Sequence, residues 1–520
     1  GVSNEKLDAH QMASFDLAWC AAESTGARFA AEYAGKAAAI QTGGGACLEE
    51  RMALVFCAEA LQNIHNRLRA RPQSFGLNDA DVAALSSSAL NQFCQTQLDA
   101  GNLEALGRQV IALNGASGAY MLSDDATMMQ DSFRKLATNV VMPLAEEIHR
   151  HDRIIPKEIL DPLTEMGCFG LSIPERYGGL QSDDHEDNMG MIVVTEELSR
   201  GSLGAAGSLI TRPEILSRAL QKGGTEERRQ KWLPRVAMGD PLCAIAVTEP
   251  DTGSDVAAMR LKASKCEGGW LLDGVKTWCT MAGKAGVLLV LARSNPDRSL
   301  GHKGLSMFLV EKDSYDGHDF EYRQAQGGVL TGRAISTIGY RGMHSYEVFF
   351  DSVFVPDENL VGGPAGEGKG FYFTMAGFAG GRIQTAARAI GVMQAAFERA
   401  VSYAGERKAF GKPIGEYQLT LVKLARMATL LTVSRQFTYA VGRLMDQGSG
   451  QMEASMVKLF PCRTAEWLTR EAVQIHGGMG YAEESPVSRY FLDARVLSIF
   501  EGAEETLALK VIARSLIEAV

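Results

Sequence analysis

One change of hydrophobic period, and its reversal, most constrains what this chain can fold into. Apolar residues recur at helical spacing up to about residue 239, fall into short runs from Leu242 to about Pro356, and return to helical spacing beyond Pro364. Leu54, Ala58, Leu61, Ile64 and Leu68 mark an early helix, and Phe133, Leu136, Val140, Leu144 and Ile148 a second. Ile390, Met393, Phe397 and Val401, then Leu430, Val433, Phe437, Val441 and Leu444, mark two late ones. Residues 287–292, 305–310 and 348–355 read as strands, and Asp273-Gly274 between apolar arms reads as a hairpin turn. Helices segregated on either side of one strand block predict an α+β fold. Four stretches are expected: a helical extension (1–122), a helical domain (123–240), a β domain (241–360) and a helical bundle (361–520), with residues 114–118 as a linker.

Composition removes several function classes. With 46% apolar and 22% charged residues the chain is of ordinary globular type, and 520 residues are enough for several cores. A net charge of −10 opposes binding to nucleic acid or to an anionic membrane. No uninterrupted apolar run is long enough to span a bilayer. Asp8, His10 and Asp16 break up the opening stretch, so no signal peptide is expected. Nine scattered cysteines without a C-x-x-C pair fit a reducing cytoplasm, where they act as small apolar residues. Nine histidines, none at H-x-x-x-H spacing, give no support for a metal. Residues 363–369 imitate a phosphate loop, but Gly370 stands where a hydroxyl must hold Mg²⁺, so a loop entering a helix is expected.

Three segments resist a bland reading. Residues 246–255 combine three hydroxyls, Pro and Gly breaks and three acidic side chains at the edge of the β domain, with Trp278 and Thr280 following. Residues 474–480 form a Gly-rich turn after a helix, which either caps it or offers N–H groups to a ligand. Glu501 precedes Gly502 on a loop before a helix; Glu504 and Glu505 serve the helix dipole better, so Glu501 is left to chemistry.

Together these segments resemble the acyl-CoA dehydrogenase family. Its two signature patterns match residues 246–258 and 474–493 without a gap, and its other landmarks follow in order: Trp278 with Thr280, the 406–411 segment, Gln418, and Glu501 with Gly502. The resemblance runs from about Asp125 to Val520 and implies a helical domain, a β domain and a C-terminal four-helix domain holding FAD. It places Ile245, Ala246, Val247, Thr248, Gly253 and Ser254 around the flavin, with Trp278 and Thr280 against it. Arg407, Phe410, Gln418, Gln474, Gly477 and Gly478 would reach the FAD of a neighbouring subunit, which implies a homo-oligomer, dimer or tetramer. Ser254, Arg382 and Gly502 fall at acyl-CoA positions. Glu501 falls at the base that removes the α proton while the β hydride passes to the flavin. The Glu501 N–H and an FAD hydroxyl would steady the thioester oxygen, as an oxyanion hole does. Electron-transfer flavoprotein is the implied acceptor.

The chain departs from the family pattern at Ala503, Glu505 and Ala409, which removes single hydrogen bonds and not the site. Its extension lies outside the common family length and, by resemblance, points to a member acting on a branched dicarboxylic acyl-CoA. The distal carboxylate then needs a cation or several donors. Arg212, Arg341 and His344 are the candidates, each also readable as a structural ion-pair residue. Rival readings are a dehydrogenase of another short or branched acyl-CoA, an acyl-CoA oxidase, and a non-catalytic flavoprotein scaffold. A decarboxylating dehydrogenase is disfavoured, because its Tyr-Arg pair would fall at Ala205-Ala206.

Overall fold

The computed structural model describes residues 3–40 and 47–519; residues 1–2 and 41–46 of the expected extension, and residue 520 of the expected bundle, lie outside the described residues. By packing, the chain forms two units: residues 130–384, and residues 1–129 together with 385–520.

The first unit is built on an eight-stranded sheet: β1 (Cys243–Ala246), β2 (Lys262–Cys266), β3 (Gly269–Thr280), β4 (Val287–Arg293), β5 (Leu305–Glu311), β6 (Asp319–Arg323), β7 (Val329–Ala334) and β8 (Ser345–Pro356). The strand order is β1-β4-β2-β3-β8-β7-β6, with β5 paired to β4. Every residue of β4 is buried, which is why it reads as an unbroken apolar run instead of an alternating one. Its parallel neighbour β1 ends at Ala246, so the chain leaves the sheet directly into the 247–255 segment.

Two sequence expectations fail here for physical reasons. Asp273-Gly274 is not a hairpin turn: both residues lie inside β3, where the register against β8 shifts between Leu272 and Gly274. The positive φ that suits Asp-Gly to a turn serves a β-bulge instead. The turn from β2 to β3 is Glu267-Gly268. The second failure concerns the helix Asp124–Leu136, which passes through a π turn at Ala137–Val141 into Met142–Arg150. The wider turn rotates the buried face, so Phe133, Ala137, Val141, Ala145 and Ile148 are buried in place of the expected Leu136, Val140 and Leu144.

In the second unit, helices Gln11–Ile40 and Leu48–Ala70 pack on each other and on Gln418–Asp446 and Gln451–His476. Phe29 meets Phe437 at 5.7 Å, and Phe56 meets Phe460 at 5.5 Å. Of the expected early stripe only Ala58 is fully buried, and Leu61 is exposed. Met52, Val55, Phe56 and Ala60 carry that helix's core instead, because neighbours cover it on more than one side. Helix Ala100–Ala112 lies so close to Gln418–Asp446 that a Cβ on Gly107 would collide with the Leu421 carbonyl. Of the late stripes, Ile390, Met393, Phe397, Val401, Val433, Phe437 and Val441 are buried, while Leu430 and Leu444 are only half-buried. Residues 363–369 turn directly into the helix Gly370–Glu406. No helix among the described residues is long and apolar enough to cross a membrane. Burial raises the thiols of Cys20, Cys57 and Cys94 above the ordinary cysteine value, in keeping with an apolar role.

Candidate active site

In the sheet unit, the 247–254 loop is folded back on itself by reciprocal bonds between Glu249 and Thr252. The Thr277 N–H on β3 donates to the Thr248 carbonyl at 2.9 Å and fixes the loop beside the strand. What anchors it is a residue the sequence reading passed over. Lys276 is 0% exposed, and its Nζ donates to the Val247 carbonyl at 2.7 Å and to Glu249 Oε1 at 2.9 Å. Glu249 also accepts from the N–H groups of Leu261 (2.8 Å) and Arg260 (2.7 Å). Burial pulls the Lys276 amine below the ordinary lysine value, while Glu249 draws it back up.

A second register break, between Lys276 and Cys279, turns Trp278 outward. Its φ is +57° and the residue is 55% exposed, while Thr280 turns inward and shares a 3.0 Å hydrogen bond with Ser345. Thr248 and Ile245 are half-buried, Ala246 and Val247 are buried, and Gly253 and Ser254 are exposed on the loop crest. Arg382 is half-buried on the long helix. An outward indole and nearby hydroxyls suit a flat, polar-edged ring such as a flavin.

In the helical unit, Lys408–Ala409 pairs with Lys412–Pro413, leaving Phe410-Gly411 as a two-residue turn. Both turn residues have positive φ, as a type I′ turn requires, and Phe410 is 99% exposed at the tip. Arg407 and Gln474 are also exposed. Gln418 donates to Glu104 of the extension at 3.0 Å. Gly477 caps the helix Gln451–His476 with φ +59°, and nothing lies where a Cβ on Gly477 or Gly478 would stand. The preceding His476 is buried and stacked 4.3 Å from Tyr403.

Glu501 has φ +54° and Gly502 φ +102°, a pair of left-handed residues between the helices Pro486–Val496 and Glu504–Thr506. A glutamate held there stores backbone strain, and surrounding contacts must fix it. One of them is a second residue missed in sequence: Lys458, also 0% exposed, whose Nζ donates to the Gly502 carbonyl at 2.6 Å. Another is Arg388, fully buried, with its guanidinium 5.2 Å from the centre of the Phe500 ring. The Glu501 N–H donates to no backbone carbonyl among the described residues. Glu504 pairs with Arg463 and accepts the helix-start role expected of it.

The three candidates for a substrate carboxylate separate. Arg212 is buried, with Nη1 donating to the Ser208 carbonyl at 3.0 Å. Arg341 donates to the carbonyls of Thr337 (3.0 Å) and His149 (2.8 Å), and its Nε stands 3.5 Å from Asp152. His344 is buried, with Nε2 3.0 Å from Asp152 Oδ1. Arg341 and His344 therefore share one structural carboxylate, and Arg212 stands apart from it.

Residues 123–240, 244–353 and 368–517 match the acyl-CoA dehydrogenase N-terminal, middle and C-terminal domains respectively. A (2S)-methylsuccinyl-CoA dehydrogenase from Cereibacter sphaeroides is 40% identical over 99% of this chain and 92% of its own length. Butyryl-CoA dehydrogenase from Megasphaera elsdenii superposes with a TM-score of 0.68 at 31% identity, covering 77% of this chain and all of that one. A glutaryl-coenzyme A dehydrogenase in complex with glutaryl-CoA gives a TM-score of 0.69 at 28% identity, over 78% of this chain and 98% of its own.

Proposed function

The chain belongs to the acyl-CoA dehydrogenase family, FAD-dependent oxidoreductases acting on a CH–CH bond, and on that premise we propose that it oxidises (2S)-methylsuccinyl-CoA to mesaconyl-CoA. The reaction would belong to the ethylmalonyl-CoA pathway. The observation that carries the mechanism is the strained Glu501-Gly502 turn, held from beneath by Lys458.

Glu501 takes the α proton of the thioester onto its carboxylate. That proton is only weakly acidic, so the charge reaching the thioester oxygen needs a donor. The Glu501 N–H, which has no backbone partner among the described residues, supplies one. Gly502, with no side chain, lets the thioester approach the backbone. Lys458 is a positioning residue: by holding the Gly502 carbonyl it fixes the direction of the peptide groups around Glu501. FAD, when bound, supplies the oxidant that accepts the β hydrogen with its electron pair. Ile245, Ala246, Val247, Thr248, Gly253, Ser254, Trp278 and Thr280 would hold it, joined by Arg407, Phe410, Gln418, Gln474, Gly477 and Gly478 of a second copy. Ser254 and Arg382 would meet the CoA portion, Arg212 would be the cation for the distal carboxylate, and electron-transfer flavoprotein would be the acceptor. The exposed Phe410 supports the assembly, since a lone chain leaves that ring in water.

The extension covers faces of Gln418–Asp446 and Gln451–His476, which favours a dimer over a tetramer. Light scattering on the full chain should report two copies; four would overturn this. The substrate is tested by anaerobic absorbance titration of the purified protein with (2S)-methylsuccinyl-, butyryl-, isobutyryl- and glutaryl-CoA. Bleaching of the flavin band by methylsuccinyl-CoA alone is expected. Bleaching by a simple fatty acyl-CoA instead would keep the family and overturn the substrate.

A further inference from the structure

Away from the residues assigned to flavin and thioester, three side chains from distant parts of the chain converge. Asp152 follows the helix Met142–Arg150, His318 precedes β6 and His344 precedes β8. The two Nε2 atoms of His318 and His344 are 3.1 Å apart. His344 Nε2 is 3.0 Å from Asp152 Oδ1, and His318 Nε2 is 3.7 Å from Asp152 Oδ2. A tetrahedral ion with bonds of about 2.0–2.1 Å spaces its ligand atoms about 3.3–3.4 Å apart, close to the 3.0 and 3.1 Å that His344 Nε2 makes with Asp152 Oδ1 and His318 Nε2, and one ligand atom from each of the three residues lies within 4.8 Å of the others. We propose that Asp152, His318 and His344 bind a divalent transition cation of the zinc class.

The surrounding bonds favour this use of the three groups. His344 Nδ1 is 3.0 Å from the Gly342 carbonyl, which orients the ring and, in the neutral imidazole, turns the Nε2 lone pair toward Asp152 and His318. His318 Nε2 also lies 2.9 Å from the Asp152 main-chain carbonyl, so in the metal-free chain a proton on that nitrogen can bridge the cluster, and a bound cation would take its place. Two imidazole nitrogens and one carboxylate oxygen form a donor set suited to Zn²⁺ or Co²⁺ rather than to Ca²⁺ or Mg²⁺. Asp152 and His344 both hold positive φ, at 50° and 51°, so two of the three ligands sit on strained backbone. His318 and Asp152 are partly exposed, which gives the ion an entry path and leaves a coordination position for water. Arg341 Nε, 3.5 Å from Asp152 Oδ1, competes for the same carboxylate but leaves Oδ2 directed at His318. The His344 carbonyl accepts from the Met281 N–H at 2.8 Å, and Ser345 partners Thr280. A bound ion would therefore stiffen the strand end that carries Thr280.

The test is equilibrium dialysis of the chelator-stripped full-length protein against ZnCl₂, with CoCl₂ as a spectroscopic probe. One equivalent per chain should be retained, and Co²⁺ should give the visible bands of a tetrahedral site without a thiolate charge-transfer band. Both should be lost in His318→Ala, whose side chain is 47% exposed, and in Asp152→Asn. No retained metal, retention equal to the parent's in both variants, or a thiolate band would each overturn the proposal.

Discussion

Two segments proposed for the active site are held by the same device used in different ways. The 247–254 loop and the 500–502 turn each rest on a fully buried lysine, Lys276 and Lys458. Lys276 is charge-compensated: it meets Glu249 and a carbonyl together. Lys458 reaches the turn itself at the Gly502 carbonyl. The loop is thus tied through a buried ion pair, which is costly to break from one side. The turn is met by a charge-assisted hydrogen bond from a buried amine to a main-chain carbonyl. A loop that spans several residues is locked as a whole, whereas a strained turn needs only its direction set.

This contrast separates holding from reacting, and the sharpest test is the residue proposed to react. Glu501→Gln should retain flavin yet lose substrate-driven flavin reduction by about 10³-fold or more, followed by anaerobic stopped flow. Retained reduction would remove Glu501 from the mechanism. Next in size is the pair of lysines. Lys276→Met leaves Glu249 buried without its cation and should cost about 3–5 kcal/mol in denaturant unfolding, with loss of bound flavin; Lys276→Met with Glu249→Gln should recover part of it. Lys458→Met should cost about 1–3 kcal/mol and lower kcat with little change in KM or flavin content. Equal losses in the two lysine variants would break the comparison.

The most gradual effect, spread over several pH units, comes from a third buried lysine that serves neither segment. Burial holds the Lys312 amine down to about 7, with Asp313 drawing it up. Above that pH the folded chain carries a neutral amine while the unfolded chain still binds the proton, so stability rises with pH until the unfolded lysine also titrates. The slope is at most about 1.4 kcal/mol per pH unit between about pH 7 and 10, and Lys312→Met should flatten it in urea melts.

The alternation of helical and strand periods was legible because each element buries its own apolar stripe. The Glu501, Trp278 and Phe410 segments stand out in sequence because each has a distinctive order of residues, and their roles at a flavin rest on the family resemblance. Asp273-Gly274 misled because a positive φ is wanted equally by a turn and by a bulge, and only the strand opposite decides which forms. The stripe after Phe133 slipped because a π turn leaves no mark in the spacing of one sequence. Lys276, Lys458 and the Asp152–His318–His344 cluster were invisible for a different reason. Lys276 lies 27 residues from Glu249, Lys458 lies 44 from Gly502, and His344 lies 192 from Asp152. Only folding brings those partners together.

The register break before Cys279 has an optical consequence. Of the five tryptophans in the chain, Trp278 alone is exposed among the described residues, while Trp19, Trp232 and Trp270 are buried. Its indole should emit at the red edge of the protein's fluorescence and meet soluble quenchers first. The bulge thus furnishes a native chromophore whose colour and brightness report whatever settles on that face of the sheet.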